Sequence, residues 1–194
     1  MKNIDIIKNN FTENQKVSIA SETTLLNALN DATSILIKML SNNGKLLACG
    51  NGGSSGDAQH ISSEFINRFE LEREELAAIS LNSDTATLTS IANDYGYEYI
   101  FSKQIKAIGM DTDVLIAFTT SGNSKNIIEA IKAAHAKNMT VILMTGCDGG
   151  GAKKLLSDKD LPVIVPSNRT SRIQEVHLIS IHSICECIDK YLTK

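Results

Sequence analysis

Five short apolar runs, most of them separated by residues with a helical pattern, constrain most strongly what this chain can fold into. They are 45-KLLAC-49, 76-LAAISL-81, 113-DVLIAF-118, 139-MTVILM-144 and 161-LPVIVP-166. Runs this short and this continuously apolar are typical of strands that are covered on both faces. The alternation of strand and helix predicts an α/β fold, a three-layer αβα sandwich around a five-stranded parallel sheet.

Helical patterns flank this region at both ends. The N-terminal region to about Asn42 is predicted to form two helices, with Ser21 as the N-cap of the second, because residues 21–40 carry apolar side chains at helical spacing. The last pattern, 171-SRIQEVHLISIHSICECIDKYL-192, is apolar over much of its circumference, as in a helix buried in a core or against another subunit. We therefore expect one domain over residues 1–194, with residues 1–42 as a helical extension used in oligomerisation.

Charge and cysteine usage exclude several classes of protein. A net charge of −3 leaves no basic footprint for nucleic acid. The start of the chain, MKNIDIIKNNF, is too polar for a signal peptide, and no apolar run reaches membrane-spanning length. We expect a cytoplasmic protein with no nucleic-acid or membrane partner.

The cysteines lack metal-site spacing and are predicted to be small buried residues in a reducing compartment: Cys49, Cys147, Cys185 and Cys187.

Three polar stretches follow three of the predicted strands, where open parallel sheets bind ligands. They are 50-GNGGSS-55, 82-NSDTAT-87 and 119-TTSGNS-124. The third precedes a helical pattern over residues 125–137, and a helix N-terminus offers free N–H groups and a partial positive charge. The hydroxyl groups there predict a phosphate cradle made of Thr119, Thr120, Ser121 and Ser124. The alternative is that the serines only cap the helix.

The glycine-rich stretch does not match the two common nucleotide-binding motifs. Gly50, Gly52 and Gly56 give the spacing G-x-G-x-x-x-G, which is one residue too long for a dinucleotide fingerprint. It is not a P-loop either, because no lysine follows. A nicotinamide enzyme would also need more chain for its substrate.

Four strings together carry a resemblance to a known family. They are GNGGSSGDAQH, SIANDYGYE, TTSGNS and SRIQEVHLISIH, and they occur in order over nearly the whole chain. With them the chain resembles the phosphoheptose isomerases of the sugar isomerase (SIS) fold, which act on sedoheptulose 7-phosphate in bacterial heptose synthesis. The resemblance implies a flavodoxin-like five-stranded sheet, a homotetramer and a site between subunits that holds one zinc ion per subunit.

The same resemblance implies roles for individual residues. The metal ligands would be His60, Glu64, Gln174 and His182, and the catalytic groups would be Glu64 and His182. Substrate binding would involve Asn51, Gly52, Gly53, Glu64, Asn93, Asp94, Thr119, Thr120, Ser121, Ser124 and Gln174. The family often has serine at position 119, where threonine keeps the hydroxyl group.

Helical geometry supports some of these roles better than others. His60 and Glu64 are four residues apart and share a helix face, so they are able to chelate one ion, although such a pair is also common on a solvated surface. Gln174 and His182 are separated by about 12 Å along a helix and by roughly 80° around it. Glu175 projects closer to His182 than Gln174 does and is the local competitor. Gln174 and His182 could reach one ion only through long, inclined rotamers or if they came from different chains, and we expect sites completed by residues from different chains.

The implied reaction is an aldose–ketose isomerisation through an enediol. We expect Glu64 to act on carbon and His182 to be its partner, with the two roles exchangeable, and Asn93 and Asp94 to bind sugar hydroxyls. His177 and His135 are predicted to be structural and solvated, respectively. Residues 66–84 also resemble a non-catalytic relative that binds a bacterial replication initiator, but that relative lacks counterparts of Glu64 and His182. A sugar-phosphate-sensing regulator would need a DNA-binding domain, for which the chain has no room.

Overall fold

The computed structural model describes residues 2–193, so the predicted domain limits at residues 1 and 194 lie outside the described residues. The strands are β1 (Leu46–Gly50), β2 (Ala78–Ser80), β3 (Val114–Thr119), β4 (Thr140–Gly146) and β5 (Leu161–Val165). The helices are α1 (Asn3–Ser41), α2 (Gly53–Ile66), α3 (Thr85–Asp94), α4 (Ser102–Ile108), α5 (Lys125–Ala136), α6 (Gly150–Lys153) and α7 (Thr170–Leu192). A 3₁₀ turn, Tyr97–Tyr99, lies between α3 and α4.

All five strands pair in parallel in the order β2-β1-β3-β4-β5, and this confirms the predicted sheet. On β1, Leu46 pairs with Ala78 on one side and with Val114 on the other. The observed strand limits differ from the predicted runs by up to two residues: β1, β3 and β4 begin one residue later and end one or two residues further on, at Gly50, Thr119 and Gly146.

Helices cover both faces of the sheet, which confirms the three-layer architecture. Alternate strand residues point to opposite faces. Leu46 and Ala48 join a core built with α1, α2 and α7, whereas Leu47 and Cys49 join a second core built mainly with α4 and α5.

The expectation of two N-terminal helices is wrong, because α1 is continuous over 39 residues. Ser21 does not cap a second helix; it lies inside α1 and is 4% exposed. The segment contains no glycine or proline to interrupt the helix. Most of its other hydroxyl groups bond back to carbonyls four residues earlier, as Thr24 does to Ala20, so they do not provide caps.

The strand order creates a crevice at the carboxyl edge of the sheet. The chain leaves β1 into α2 on one face and leaves β3 into α5 on the other, although β1 and β3 are neighbours. This is the switch point at which doubly wound sheets bind ligands. The glycine-rich loop and the predicted phosphate cradle both begin there.

Two further expectations concern exposure. Cys49 and Cys185 are buried, but Cys147 and Cys187 are exposed, so the prediction that all four cysteines are buried is wrong. Cys147 follows β4 in a left-handed turn at φ 55°, and Cys187 lies on the outer side of α7. Among the helices within residues 2–193, none combines the length and the apolar character needed to cross a bilayer.

Candidate active site

The glycine-rich loop after β1 makes a close turn into α2. Gly52 has φ 55°, a left-handed conformation that glycine adopts without strain. Gly53 begins α2 directly against α7, since a Cβ atom at this position would lie 2.5 Å from Nε2 of Gln174. The small residues thus let the two helices approach each other at the edge of the crevice.

Asn51 connects this loop to the start of α5. Its amide exchanges two hydrogen bonds with buried Asn126, at 2.8 and 2.7 Å. The Tyr97 hydroxyl donates a third hydrogen bond to Oδ1 of Asn51, at 3.1 Å. These bonds orient the polar floor of the crevice between β1 and β3.

Three of the predicted catalytic and metal-binding residues lie together on α2 and α7, with His60 in contact with the other two. Nε2 of His60 lies 3.0 Å from Nε2 of His182 and 3.2 Å from Oε1 of Glu64. The Glu64 side chain is 20% exposed, and that of His60 is 37% exposed, so the cluster is open to a ligand. All three groups lie together within one chain, and this arrangement favours a site that takes Glu64 and His182 from the same chain over one completed by residues from different chains.

Gln174 lies at the other end of the same helix pair. Its amide packs against Gly53 at the first turn of α2, whereas His182 contacts His60 two turns further along α2. The structure therefore does not bring Gln174 into the His60–Glu64–His182 cluster. Glu175 points away from it, because its carboxylate accepts hydrogen bonds from Asn14 and Arg172.

The predicted cradle follows β3 at the crevice. Thr119 Oγ1 and Ser124 Oγ are 3.4 Å apart, and Ser121 Oγ accepts a hydrogen bond from the Asn123 backbone N–H. Ser124 occupies the N-cap position of α5, but its side chain makes no capping bond, so the alternative of a purely capping role is not supported. The hydroxyl groups remain available to a ligand at the start of α5.

A neighbouring loop supports the cradle through backbone contacts. The Ala152 N–H donates to the Gly122 carbonyl at 2.8 Å, and a Cβ atom on Gly122 would lie 2.0 Å from the Gly149 carbonyl oxygen. Gly122 also has φ 68°, which a side chain would strain. The cradle therefore has its shape because position 122 is glycine.

Asn93 and Asp94 form the exposed end of α3, where the Asn93 amide donates to the Asp94 carboxylate at 2.8 Å. The Asn93 and Asp94 side chains face solvent and make no described contact with the cradle. Nearby, the Tyr97 hydroxyl donates a hydrogen bond to Asn51.

A second buried pair joins α2 to α7 behind the cluster. Asp57 Oδ2 and His177 Nδ1 are 4.0 Å apart, and neither atom has a hydrogen-bond partner in the described part of the chain. Burial raises the pKa of Asp57 to about 6 and lowers the pKa of His177 to about 4. His177 packs edge-on against Phe118, so its predicted structural role agrees with its position.

The prediction that His135 is merely solvated is wrong, because the side chain has a buried partner. Its Nε2 atom contacts Oδ2 of Asp160 at 2.7 Å, and the Asp160 side chain is fully buried. Although burial raises the pKa of Asp160, hydrogen bonds from Ser157 and Val141 outweigh it and hold that pKa below its usual value. This pair ties α5 to the start of β5, away from the crevice.

The donor types in the cluster fit a zinc site, although no such site is preformed. Tetrahedral zinc with imidazole ligands separates the two nitrogen atoms by about 3.3 Å, close to the 3.0 Å between His60 and His182. Glu64 and His182 both contact His60, but they make no described contact with each other. Across residues 2–193, no group of three or more His, Cys, Asp or Glu side chains surrounds a point that a metal could occupy.

Comparison with known proteins identifies the family. Residues 11–146 match the SIS domain family. The phosphoheptose isomerases of Alteromonas mediterranea and Shewanella pealeana are each 50% identical over 189 residues, covering 97% of this chain and 96% of theirs. This chain therefore belongs to the SIS domain family, in the group of the phosphoheptose isomerases.

Solved structures agree with this assignment. The phosphoheptose isomerase from Francisella tularensis is 39% identical with a TM-score of 0.96, covering 98% of this chain and all of that one. The phosphoheptose isomerase from Neisseria gonorrhoeae is 44% identical with a TM-score of 0.93, covering 97% of this chain and all of that one. The predicted SIS fold is confirmed.

Sequence reasoning missed several polar residues around the crevice. Asn126 lies outside the quoted strings, and Tyr97 lies inside SIANDYGYE, but the contribution of each depends on a contact between loops that are distant in sequence. Asp57 was visible as the acidic residue of the glycine-rich stretch, but its pairing with His177 was not. Helical phase shows which residues share a face but not which face of another helix they meet.

We predict that Gly122→Ala destabilises the protein by about 1–3 kcal/mol, because the new Cβ atom would strain the backbone and clash with the Gly149 carbonyl. The matched control is Gly56→Ala in α2, where a Cβ atom would meet nothing within 4 Å. This control should be neutral or stabilising by about 0.5–1 kcal/mol. Urea unfolding of both variants measures the difference, and equal stabilities would contradict the predicted clash.

The pH dependence of stability provides a second prediction. His177 has a lower pKa in the folded protein than when unfolded, so its contribution to stability falls as the pH falls from about 6.5 towards 4. Asp57 has a raised pKa, so its contribution is fully present below about 3.8 and is lost as the pH rises through about 6. The two contributions oppose each other in the wild-type protein.

Asp57→Asn removes only one of these opposing contributions. Relative to wild type, its free energy of unfolding should fall by about 2 kcal/mol between pH 7 and pH 4.5. Urea unfolding at both pH values tests this, with the exposed Asp158→Asn variant as control. A difference between Asp57→Asn and wild type that does not change with pH would show that Asp57 titrates normally.

Proposed function

We propose that this protein converts sedoheptulose 7-phosphate to D-glycero-D-manno-heptose 7-phosphate, for the synthesis of bacterial heptose and surface polysaccharide. The observation that carries the proposal is the contact of His60 with both Glu64 and His182, beside the crevice, in a member of the phosphoheptose isomerase group. A carboxylate and an imidazole are groups that can move protons between adjacent carbon atoms and their oxygen atoms.

The substrate phosphate would bind at the start of α5. The hydroxyl groups of Thr119, Thr120, Ser121 and Ser124 supply donors there, and the helix N-terminus adds free N–H groups. Asn51, the backbone at Gly52 and Gly53, and Gln174 would contact sugar oxygens, with Asn93 and Asp94 at the outer end. Anchoring the phosphate fixes the reactive carbons relative to the cluster.

The reaction would begin when the Glu64 carboxylate removes a proton from C1, beside the ketose carbonyl. The electron pair of that C–H bond forms the C1–C2 double bond, and O2 takes up a proton to give the enediol. Return of the proton to C2, with loss of the O1 proton, yields the aldose. His182 would transfer the protons between the oxygen atoms, and the roles of Glu64 and His182 are exchangeable.

Zinc is the proposed cofactor, one ion per subunit. His60, Glu64 and His182 would hold it, and Gln174 is the predicted fourth ligand, which requires its side chain to swing along α2 towards His60. A bound zinc ion polarises substrate oxygens and stabilises enediolate charge. A carboxylate held tightly by a metal is a weak base, so Glu64 would use its second oxygen for proton transfer.

We further propose that the chain forms one domain and assembles as a cytoplasmic homotetramer through residues 1–42. Large apolar side chains on α1 support this assembly, since Phe11 is 70% exposed, Ile19 67% and Leu26 63%. Apolar surface of this extent on one helix is typical of an interface.

The test of function is incubation with sedoheptulose 7-phosphate, with the product read by NMR with and without a chelator. Formation of the heptose 7-phosphate supports the proposal. A protein that binds a replication initiator without catalysing any reaction would leave the substrate unchanged.

We predict that Glu64→Gln lowers kcat by at least about a hundredfold, because the amide keeps the shape of the side chain but is not a base. The matched control is Glu186→Gln, which alters a carboxylate on α7 whose side chain is 47% exposed. Circular dichroism verifies the fold of both variants. If Glu64→Gln turns over near the wild-type rate, Glu64 is not the base.

We predict that Ser121→Ala combined with Ser124→Ala raises KM more than it lowers kcat, because the cradle anchors the phosphate rather than the reacting carbons. Unphosphorylated sedoheptulose should be a very poor substrate, since binding energy of the phosphate supports catalysis. Steady-state kinetics with both sugars measures this. Comparable kcat/KM values for the sugar and its 7-phosphate would refute the cradle.

A further inference from the structure

The segment between α2 and β2, residues 67–77, is irregular and mostly exposed, yet it contains a deeply buried arginine. We call this segment the strap. The Arg73 side chain is 4% exposed, and its Nε atom lies 2.8 Å from Oδ1 of Asp189, whose side chain is 1% exposed. The strap is therefore fixed to α7 by a buried ion pair.

The same arginine closes the end of α2 that carries Glu64. Its NH2 group donates to the backbone carbonyl of Glu64 at 2.6 Å, and its NH1 group donates to that of Phe65 at 2.9 Å. Carbonyls in the last turn of a helix have no intrahelical partner. Arg73 supplies partners and at the same time connects them to Asp189 on α7.

Asp189 also holds the backbone of the strap. Its Oδ2 atom accepts hydrogen bonds from the N–H groups of Glu70 at 3.0 Å and Leu71 at 3.1 Å. Burial raises the pKa of Asp189, but the hydrogen bonds from Arg73, Leu71 and Glu70 outweigh it and keep the pKa below its usual value. The carboxylate thus stays ionised, and both of its oxygen atoms are bound by the strap.

The residue just before these two N–H groups is Phe69, and its ring stacks on His182. The ring centroids are 5.4 Å apart and the planes are inclined by 29°. The His182 ring therefore packs against the rings of both Phe69 and His60. Anchoring of Glu70 and Leu71 by Asp189 determines where Phe69 lies.

We propose that the strap is a positioning device for the two proposed catalytic groups. Arg73 and Asp189 fix the α2 turn of Glu64 against α7, and Phe69 fixes the ring of His182. Neither Arg73, Asp189 nor Phe69 touches the substrate in this arrangement. The proposal rests on the catalytic roles of Glu64 and His182 proposed above.

Stability alone is a weak reason for this construction. A buried ion pair loses hydration free energy that its attraction only partly offsets, and well-packed apolar residues often replace such pairs without loss of stability. The Arg73–Asp189 ion pair and its five directed hydrogen bonds instead fix the position of the strap relative to α2 and α7. A displacement of about 1 Å at a catalytic group lowers rates by up to about a hundredfold, so geometry of this kind affects kcat.

The test uses Phe69→Leu, which keeps an apolar side chain but removes the flat ring, and Phe69→Tyr, which keeps the ring. We expect Phe69→Leu to lower kcat for sedoheptulose 7-phosphate by about tenfold or more with KM within about twofold of wild type. Phe69→Tyr should restore kcat to near the wild-type value. A kcat for Phe69→Leu within about twofold of wild type overturns the proposal.

A second measurement does not depend on turnover. The chain has 4 histidines, so the ring resonances of His182 are assignable by NMR with variants in which one histidine at a time is replaced. At constant pH, Phe69→Leu and Asp189→Asn should both shift these resonances, because each removes the aromatic ring from its place over His182. The matched control, Glu186→Gln, changes an exposed carboxylate on the same helix and should not shift them.

The two measurements separate the failure of the strap from the failure of the proposed function. If wild-type protein does not convert sedoheptulose 7-phosphate, the proposed function is wrong, and the NMR measurement alone decides whether the strap positions His182. If Asp189→Asn leaves the His182 resonances unchanged, the strap does not position His182, whatever the activity. If Asp189→Asn does not fold, the His182 resonances of Phe69→Leu provide the NMR test instead.

Discussion

The packing of α2 along α7 is the contact on which the site depends. The two helices run side by side, and successive turns meet in pairs: Gly53 with Gln174, Asp57 with His177, and His60 with His182. The close approach at the first pair requires a residue without a side chain at position 53. Since each later pair follows from this alignment, the relative placement of the two helices determines which polar groups share the crevice.

The sheet supplies the other half of the site. The neighbouring strands β1 and β3 end together, and their chains turn to opposite faces, which leaves the hydroxyl cradle beside the start of α2. The reciprocal amide pair of Asn51 and Asn126 connects the two sides. A phosphate at the start of α5 and a sugar reaching towards His60 would therefore lie on elements whose positions are fixed by core packing.

The sequence pattern predicted correctly those features that depend on neighbouring residues alone, namely the strands and the location of the crevice. The five apolar runs identified the strands because a buried parallel strand has to be apolar on both faces, and the polar stretches after them located the crevice. The family resemblance, rather than spacing, singled out His182. Helical phase also separated Gln174 from His182, and the structure keeps them apart.

The errors arose where the outcome depends on a contact distant in sequence. A serine inside a long helix resembles an N-cap until its burial is known, as Ser21 shows. On the sequence alone, the separation of Gln174 from His182 favours a site shared between chains, because sequence does not show that α2 brings His60 to His182 within one chain. The contacts of Arg73 and Phe69 were equally invisible, since the strap has no periodic pattern.

The central claim is that one chain supplies both Glu64 and His182 to each site. The most direct test mixes two inactive proteins, Glu64→Gln and His182→Ala, under conditions in which subunits exchange, with exchange verified by mass spectrometry. The account predicts no recovery of activity above that of the separate variants, because no chain in the mixture carries both groups. Partial return of isomerase activity in the exchanged mixture would show that sites are shared between chains and would contradict the account.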